Sequence, residues 1–224
     1  MKALFRWVGV EIARLSTREI LAATTGTAVT LMLLLVCSRD LLGMTGAAMT
    51  IASMGASAVL IFAVPHGPLS QPWPLLGGHL VSALIGVVCA RNVPWLPLSC
   101  SLSVALSIAA MLRLRCLHPP GGATAMTAVI GGPAIHALGY EYIWHPVLLN
   151  ALIVLGLAIA FDRIFRLRRY PSGSRPAPPS AVPAELTREQ LVAAIRSIDS
   201  FVDVSEDDLL ALARALESAR KSPP

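Results

Sequence analysis

The feature that most constrains this chain is a long stretch almost without charge. Between Ile20 and Phe165, 146 residues, only eight are Asp, Glu, Lys or Arg, and the fifty residues from Leu41 to Ala90 include none. Such a stretch is longer than any core element of a soluble protein, whereas about 20 apolar residues span the hydrocarbon of a bilayer. The sequence therefore excludes a simple soluble globular protein and predicts a multi-pass membrane protein.

Six apolar segments are separated by charged or Pro-rich stretches. They are too long for barrel strands and show no alternation of polarity, so they predict an all-α membrane protein. Two segments are short for full spans, which leaves open both six crossings and four crossings with two re-entrant segments. The segments are residues 20–38, 46–64, 75–90, 95–112, 121–135 and 143–162, and 75–90 and 121–135 are the short ones.

The basic residues predict the orientation. With six crossings and a cytoplasmic N-terminus, ten Lys and Arg fall on the cytoplasmic side and two, Arg39 and Arg91, on the other. This is the distribution that the positive-inside rule expects, and it places both termini in the cytoplasm. The net charge of +5 is therefore a topology signal, and we expect the lipid bilayer as a partner and no nucleic acid.

Composition divides the chain into four regions. Residues 1–19 mix basic and apolar side chains, as in a helix lying at a membrane surface, and residues 20–170 form the transmembrane domain. A Pro-rich linker follows at 171–185. Residues 186–220 carry a capping box and two apolar helical faces, which predict a small cytosolic helical hairpin.

A short motif of small residues occurs twice. Met54-Gly55-Ala56-Ser57-Ala58 reappears 67 residues later as Gly121-Gly122-Ala123-Thr124-Ala125, and the segment after each copy has one polar residue near its start, His79 or Asn150. Two units of three segments would form a 3+3 inverted repeat, a design common among transporters. At the start of a half-helix the backbone N–H groups and a hydroxyl favour a small anion, although close helix packing would also explain small residues.

A helix-breaking sequence precedes the second copy of the small-residue motif. Pro119 and Pro120 prevent a helix from running through His118. Ionisable groups near membrane depth are functional by default, which makes His118, Arg113 and Arg115 candidates for a pathway. The two arginines are equally well explained as a cytoplasmic topology anchor.

The remaining polar residues narrow the function further. His79 lies inside an apolar segment and joins the pathway candidates, whereas His66, His136 and His145 lie beside turns and are expected to be solvated. There is no zinc motif, P-loop or nucleophile elbow, and carboxylates are scarce. We therefore expect no enzyme activity, no cofactor and no metal, and the four cysteines are expected to be small apolar fillers.

From Leu117 to Ala125 the sequence resembles the HPP family of integral membrane proteins, named for the His-Pro-Pro at 118–120. The resemblance extends over about residues 10–170 and includes Met54–Leu60, Ser70–Pro72, Gly77–His79, Gly131–Tyr140 and Pro146–Ala151. It implies a protein usually described with four transmembrane helices and, through plastid and cyanobacterial members implicated in nitrite transport, a nitrite-like substrate. The tail from Leu186 resembles the segment that precedes paired CBS domains in longer bacterial members, and this resemblance implies a protein of the bacterial inner membrane. No nucleotide regulation through such domains is expected.

Three hypotheses follow from the residues and the resemblance. The first is a transporter or channel for a small monovalent anion, and the small-residue helices permit a homo-oligomer. The second is a membrane anchor or regulatory scaffold that acts through its helical tail on an unidentified protein partner. The third is an intramembrane enzyme using His118. The residues assigned to substrate binding or the pathway are Gly55, Ala56, Ser57, His79, Arg113, Arg115, His118, Pro119, Pro120, Gly121, Gly122, Ala123, Thr124 and Asn150.

Overall fold

The structure, a computed structural model, describes residues 17–165 and 170–171, except for the side chains of Ser38 and of residues 40–51. All regular structure in this part of the chain is helical, which confirms the predicted fold class. The helices are α1 (Thr17–Ala63), α2 (Pro72–Asn92), α3 (Leu96–Arg113), α4 (Pro120–Ile130), α5 (Gly132–Leu138) and α6 (Leu149–Phe165), with a 3-10 turn at Pro68–Ser70 and a π-helical turn at Ile143–Leu148. The predicted surface helix up to residue 16, the linker beyond residue 171 and the hairpin at 186–220 lie outside the described residues.

Helix α1 is a 47-residue helical stretch that turns back on itself. In a straight helix, Gly26 and Phe62 would be about 54 Å apart, because each residue rises 1.5 Å. Instead, a Cβ atom built on Gly26 would lie 2.6 Å from the Phe62 ring, and one on Gly55 would lie 3.7 Å from Leu31 Cδ2. The first arm (residues 17–37) and the second arm (residues 52–63) therefore pack antiparallel, and they correspond to the first two predicted segments.

The start of α2 and the ends of α3 and α6 lie at one end of the helical bundle. The Trp73 Nε1–H group donates to the Leu114 carbonyl oxygen at 3.1 Å. Farther along the chain, the Tyr170 hydroxyl donates to the Ser70 carbonyl oxygen at 2.9 Å, and burial raises the pKa of Tyr170 so that it stays protonated. We call this side of the bundle the Arg113 end.

The ends of α2 and α5 lie at the opposite end of the bundle, which we call the Arg91 end. The Arg91 guanidinium lies over the Tyr140 ring, 5.3 Å from its centroid. A Cβ atom on Gly139 would be 3.2 Å from Arg91 Nη1, and Gly139 has φ +52°, a backbone conformation that favours glycine. Together, the two ends show that successive segments run in alternating directions through the bundle.

Four helical segments are long and apolar enough to cross a membrane, namely Thr17–Cys37, Pro72–Asn92, Leu96–Arg113 and Ile143–Phe165. The segment predicted at 75–90 is therefore longer than expected, because a proline in the first turn of a helix has no backbone hydrogen bond to lose. The segment predicted at 121–135 divides at Gly131 into α4 and α5. The second arm of α1 and α4 are the short elements, so the number of full crossings and the inverted repeat stay predictions.

Helix α2 is the most enclosed of the four long segments. Half of its span is buried inside the protein, compared with 17–28% for the other three. The close approach of α4 depends on Gly86, where a Cβ atom would lie 2.5 Å from the Ala125 carbonyl oxygen. Any polar residue on the inner face of α2 therefore lies at the centre of the bundle, away from lipid.

Candidate functional site

Four polar side chains meet in the interior of the bundle. They are Ser57 from the second arm of α1, His79 from α2, His118 from the connection between α3 and α4, and Thr124 from α4, and we call them the His–hydroxyl cluster. All four residues have 0% of their surface exposed. Residues from both copies of the small-residue motif and from the His-Pro-Pro break, which sequence analysis selected separately, therefore form one site.

The cluster is a continuous chain of hydrogen bonds. Thr124 Oγ1 lies 2.7 Å from His79 Nδ1, and Ser57 Oγ lies 2.8 Å from His79 Nε2 and 2.9 Å from His118 Nε2. The chain ends at the loop before α2, where His118 Nδ1 is 2.9 Å from the Leu69 carbonyl oxygen. His79 thus sits between the two motif hydroxyls.

The Leu69 carbonyl fixes the direction of every bond when both imidazoles are neutral. A carbonyl oxygen can only accept, so His118 carries its hydrogen on Nδ1 and leaves Nε2 as an acceptor. The Ser57 hydroxyl then donates to His118 Nε2, His79 must donate from Nε2 to Ser57 Oγ, and the Thr124 hydroxyl donates to His79 Nδ1. All four donor hydrogens are used within the chain.

Two glycines allow the cluster to form. A Cβ atom on Gly78 would lie 2.5 Å from His118 Cβ, and one on Gly121 would lie 2.7 Å from Ser82 Oγ. Because neither glycine has a side chain, the connection that contains His118 can lie directly against α2. Pro120 then begins α4, as the sequence predicts for a helix that cannot start earlier.

Two further contacts hold the ends of the cluster. The Tyr142 hydroxyl, on a fully buried side chain, donates to the Thr124 carbonyl oxygen at 3.0 Å. At the other end, Gln71 Nε2 donates to the carbonyl oxygens of Pro65 and Gly67 at 2.9 and 3.0 Å, which fixes the loop that contains Leu69. Sequence analysis missed Tyr142 and Leu69: one acts through a backbone carbonyl, and the other is itself a backbone acceptor with no sequence signal.

The two copies of the small-residue motif have the same pattern of burial. Gly55 and Gly122 are half-buried, Ala56 and Ala123 are exposed, and Ser57 and Thr124 are buried. The hydroxyl of each copy therefore faces the cluster, whereas its alanine faces outward.

The remaining predicted site residues lie in different places. Arg113 and Arg115 are exposed at the Arg113 end, and Pro119 beside His118 is exposed as well. Asn150 is buried in the first turn of α6. Their part in a pathway stays a prediction.

The histidines expected to be solvated differ from one another. His145 is 60% exposed and lies 3.7 Å from Glu141. His66 is half-buried in the loop after α1. His136 is exposed but lies in α5 rather than in a turn, and its Nε2–H group donates to the Val129 carbonyl oxygen at 2.9 Å.

A cavity of about 190 Å³ opens at the Arg91 end. Arg91 and His136 supply its polar side chains, and Val87 and Ala128 form part of its apolar wall. Ala128 is one helical turn from Thr124 along α4, so the cavity and the His–hydroxyl cluster share the seam between α2 and α4. In the sequence, Arg91 is recognisable only as a topology signal.

The chemistry available at the cluster is that of neutral donors and acceptors. Within residues 17–165 and 170–171, no group of three or more His, Cys, Asp or Glu could hold a metal ion. The cluster itself contains two hydroxyls and two imidazoles and no carboxylate.

The family model for the HPP transmembrane region matches residues 12–171 of this chain. The chain belongs to the HPP family. The match covers all six predicted segments, and within it lie the four side chains of the cluster.

Two curated relatives of this HPP protein are transmembrane proteins of Dictyostelium discoideum. One is 42% identical over 125 residues, which are 54% of this chain and 44% of the relative. The other is 38% identical over 123 residues, which are 53% of this chain and 39% of the relative. The chain thus spans less than half of either relative. No solved structure matches it.

Proposed function

We propose that this HPP membrane protein transports a small monovalent anion, with nitrite as the substrate class that the family resemblance suggests. The observation that carries the proposal is the convergence of Ser57 and Thr124 on His79 at the centre of the bundle. The cluster has two imidazoles and no carboxylate, so its charge near neutral pH is zero or positive, which favours an anion over a cation. Ionisable groups buried in a membrane protein are costly, so they usually mark a functional site.

The cavity at the Arg91 end supports a route for the anion. Arg91 offers a permanent positive charge there, and the apolar wall at Ala128 leads toward Thr124. The seam between is closed, because a Cβ atom on Gly86 would meet Ala125 and Ala128 at 2.9 Å or less. In this proposal the structure is a closed state, in which the contact between α2 and α4 separates the cavity from the cluster. Transport then requires α2 and α4 to move apart.

The orientation in the membrane is part of the proposal. Four basic residues lie near segment termini at the Arg113 end, and two lie near termini on the opposite side: Arg18, Arg113, Arg115 and Arg163 against Arg39 and Arg91. The positive-inside rule then favours a cytoplasmic Arg113 end, with both termini in the cytoplasm of a bacterial cell. The Arg91 cavity would face the outside.

Anion uptake into liposomes that contain the purified protein tests the proposal. Nitrite, nitrate and chloride are supplied separately to the wild type and to His118→Ala and Thr124→Val. We expect selective uptake in the wild type and its loss in both variants, because each removes one link of the hydrogen-bonded chain.

A matched control separates loss of the site from loss of the fold. Gly156 is exposed on α6, and a Cβ atom there would have nothing within 4 Å, so Gly156→Ala should keep wild-type uptake. Folded wild-type protein that transports none of the three anions would contradict the proposal.

A further inference from the structure

We propose that each anion crosses together with one proton, which the two imidazoles of the His–hydroxyl cluster take up when the anion binds. The inference rests on the proposed function and deepens it, because it assigns a coupling ion to the same site. Its basis is the count of donors and acceptors in the cluster.

The neutral cluster has no donor left for a ligand. Its four hydrogens, on Thr124, His79, Ser57 and His118, go to four acceptors that end at the Leu69 carbonyl oxygen. An anion can only accept hydrogen bonds, so it would find each hydroxyl already committed to an imidazole nitrogen.

One added proton removes this obstacle. The two nitrogens without hydrogen are His118 Nε2 and His79 Nδ1, and each accepts from one motif hydroxyl. Protonation of His118 Nε2 releases the hydrogen of Ser57, and protonation of His79 Nδ1 releases that of Thr124. Among the described residues, these hydroxyls also contact the carbonyl oxygens of Ser53 at 3.2 Å and Pro120 at 3.5 Å, and both contacts are longer.

Charge leads to the same conclusion. An unpaired ion in the protein interior costs several kcal/mol even after relaxation, so a buried anion needs a positive partner. Within the cluster only the imidazoles can become positive near neutral pH. One proton on the pair and one anion beside it make a neutral complex.

The elements around the cluster supply few other titratable groups. Tyr142 contacts the Thr124 carbonyl, and Cys116 precedes His118 in the connection after α3. The neighbouring contacts from α1, α2 and α3 are Ser53, Ser82 and the Met111 thioether, which do not titrate near neutral pH. The charged residues whose side chains the structure describes belong to the ends of the helical segments: Arg18, Glu19, Arg39, Arg91, Arg113, Arg115, Glu141, Asp162 and Arg163.

The transfer is balanced without any redox step. A proton from water on one side forms an N–H bond at His118 Nε2 or His79 Nδ1 as the anion enters. After the site opens to the other side, the anion leaves, and that N–H bond breaks to return the proton to water. No covalent bond of the anion changes.

Proteoliposomes with the wild-type protein and nitrite as the probe test the coupling, with nitrate in parallel. The interior is one pH unit more alkaline than the exterior, and valinomycin with equal K⁺ on both sides holds the membrane potential at zero. Coupled one-to-one transport predicts about tenfold accumulation, because one pH unit is equivalent to a tenfold concentration ratio. Protein-free vesicles give the background that nitrous acid contributes by crossing lipid unaided.

The outcomes distinguish this inference from the proposed function. Protein-dependent uptake that ignores the pH gradient and follows an imposed K⁺ potential would overturn proton coupling and leave anion transport intact. Absence of uptake for every anion would overturn both. Protein-dependent accumulation that follows the pH gradient at zero potential supports coupling.

Variants then locate the coupling site. The double variant His79→Gln/His118→Gln keeps amide donors and acceptors but cannot hold the proton, whereas either single variant retains one imidazole. We therefore expect the accumulation ratio of the double variant to fall from about tenfold to about one. Thermal unfolding in detergent, compared with the wild type, shows whether the histidine variant is folded. His145→Gln, at an exposed position, is the matched control. Full pH-driven accumulation in the double variant His79→Gln/His118→Gln would overturn the assignment to the cluster.

Discussion

The substitution Gly78→Ala tests whether the cluster depends on close packing. Alanine would place its Cβ atom 2.5 Å from His118 Cβ and 3.0 Å from the Cys116 carbonyl oxygen. Carbon atoms in contact lie about 3.5–4.0 Å apart, so His118 must move by about 1 Å. A shift of that size stretches the 2.9 Å bonds from His118 to Ser57 and to Leu69 beyond hydrogen-bonding distance.

Two magnitudes follow for Gly78→Ala. Overpacking of a tight interior costs about 1–3 kcal/mol of stability. Misplacement of a site residue by about 1 Å lowers the rate on the order of 100-fold. Thermal unfolding in detergent, followed by tryptophan fluorescence, measures the first, and initial nitrite uptake in liposomes measures the second.

The control for this substitution is Gly156→Ala. It adds the same methyl group on the exposed side of α6, where nothing lies within 4 Å, and should leave both readouts at or slightly above wild type. Wild-type uptake and stability in Gly78→Ala would refute the packing argument.

Three further substitutions probe separate contacts. Tyr142→Phe removes the hydroxyl that donates to the Thr124 carbonyl at 3.0 Å and should lower stability by about 1–3 kcal/mol, measured by thermal unfolding; an unchanged transition would contradict it. Arg91→Gln removes the positive charge of the cavity. It should raise the half-saturating nitrite concentration and weaken the salt dependence of that concentration, and an unchanged concentration would show that Arg91 takes no part in the route. Trp73→Phe removes the bond to the Leu114 carbonyl and should cost about 0.5–1.5 kcal/mol in the same unfolding assay, and a neutral effect would show that this bond does not stabilise the Arg113 end.

Much of the fold could be predicted because hydrophobicity and helix breakers are local properties. The break before Pro120 and the apolar segments are readable along the chain. The exact start of α2 could not be read, because Pro72 and Pro74 resemble a loop in sequence yet fit the first turn of a helix. The reversal within α1 was indicated only by the charged pair Arg39-Asp40.

The residues of the site could be selected singly, but not their arrangement. His79 and His118 are conspicuous as ionisable groups in an apolar background, and the motif repeat selects Ser57 and Thr124. Their meeting depends on the tertiary approach of α2 to the connection after α3, which Gly78 permits. The end of the chain at the Leu69 carbonyl could not be predicted, since every residue has a backbone carbonyl.

The central claim is that an anion passes through the His–hydroxyl cluster, and the pair Thr124→Val and Thr124→Ser tests it most directly. Valine has nearly the shape of threonine but no hydroxyl, whereas serine keeps the hydroxyl and loses a methyl group. Initial nitrite uptake is measured in liposomes with equal amounts of folded protein. The account predicts protein-dependent uptake that Thr124→Ser retains and Thr124→Val loses; equal uptake by the two variants would contradict it.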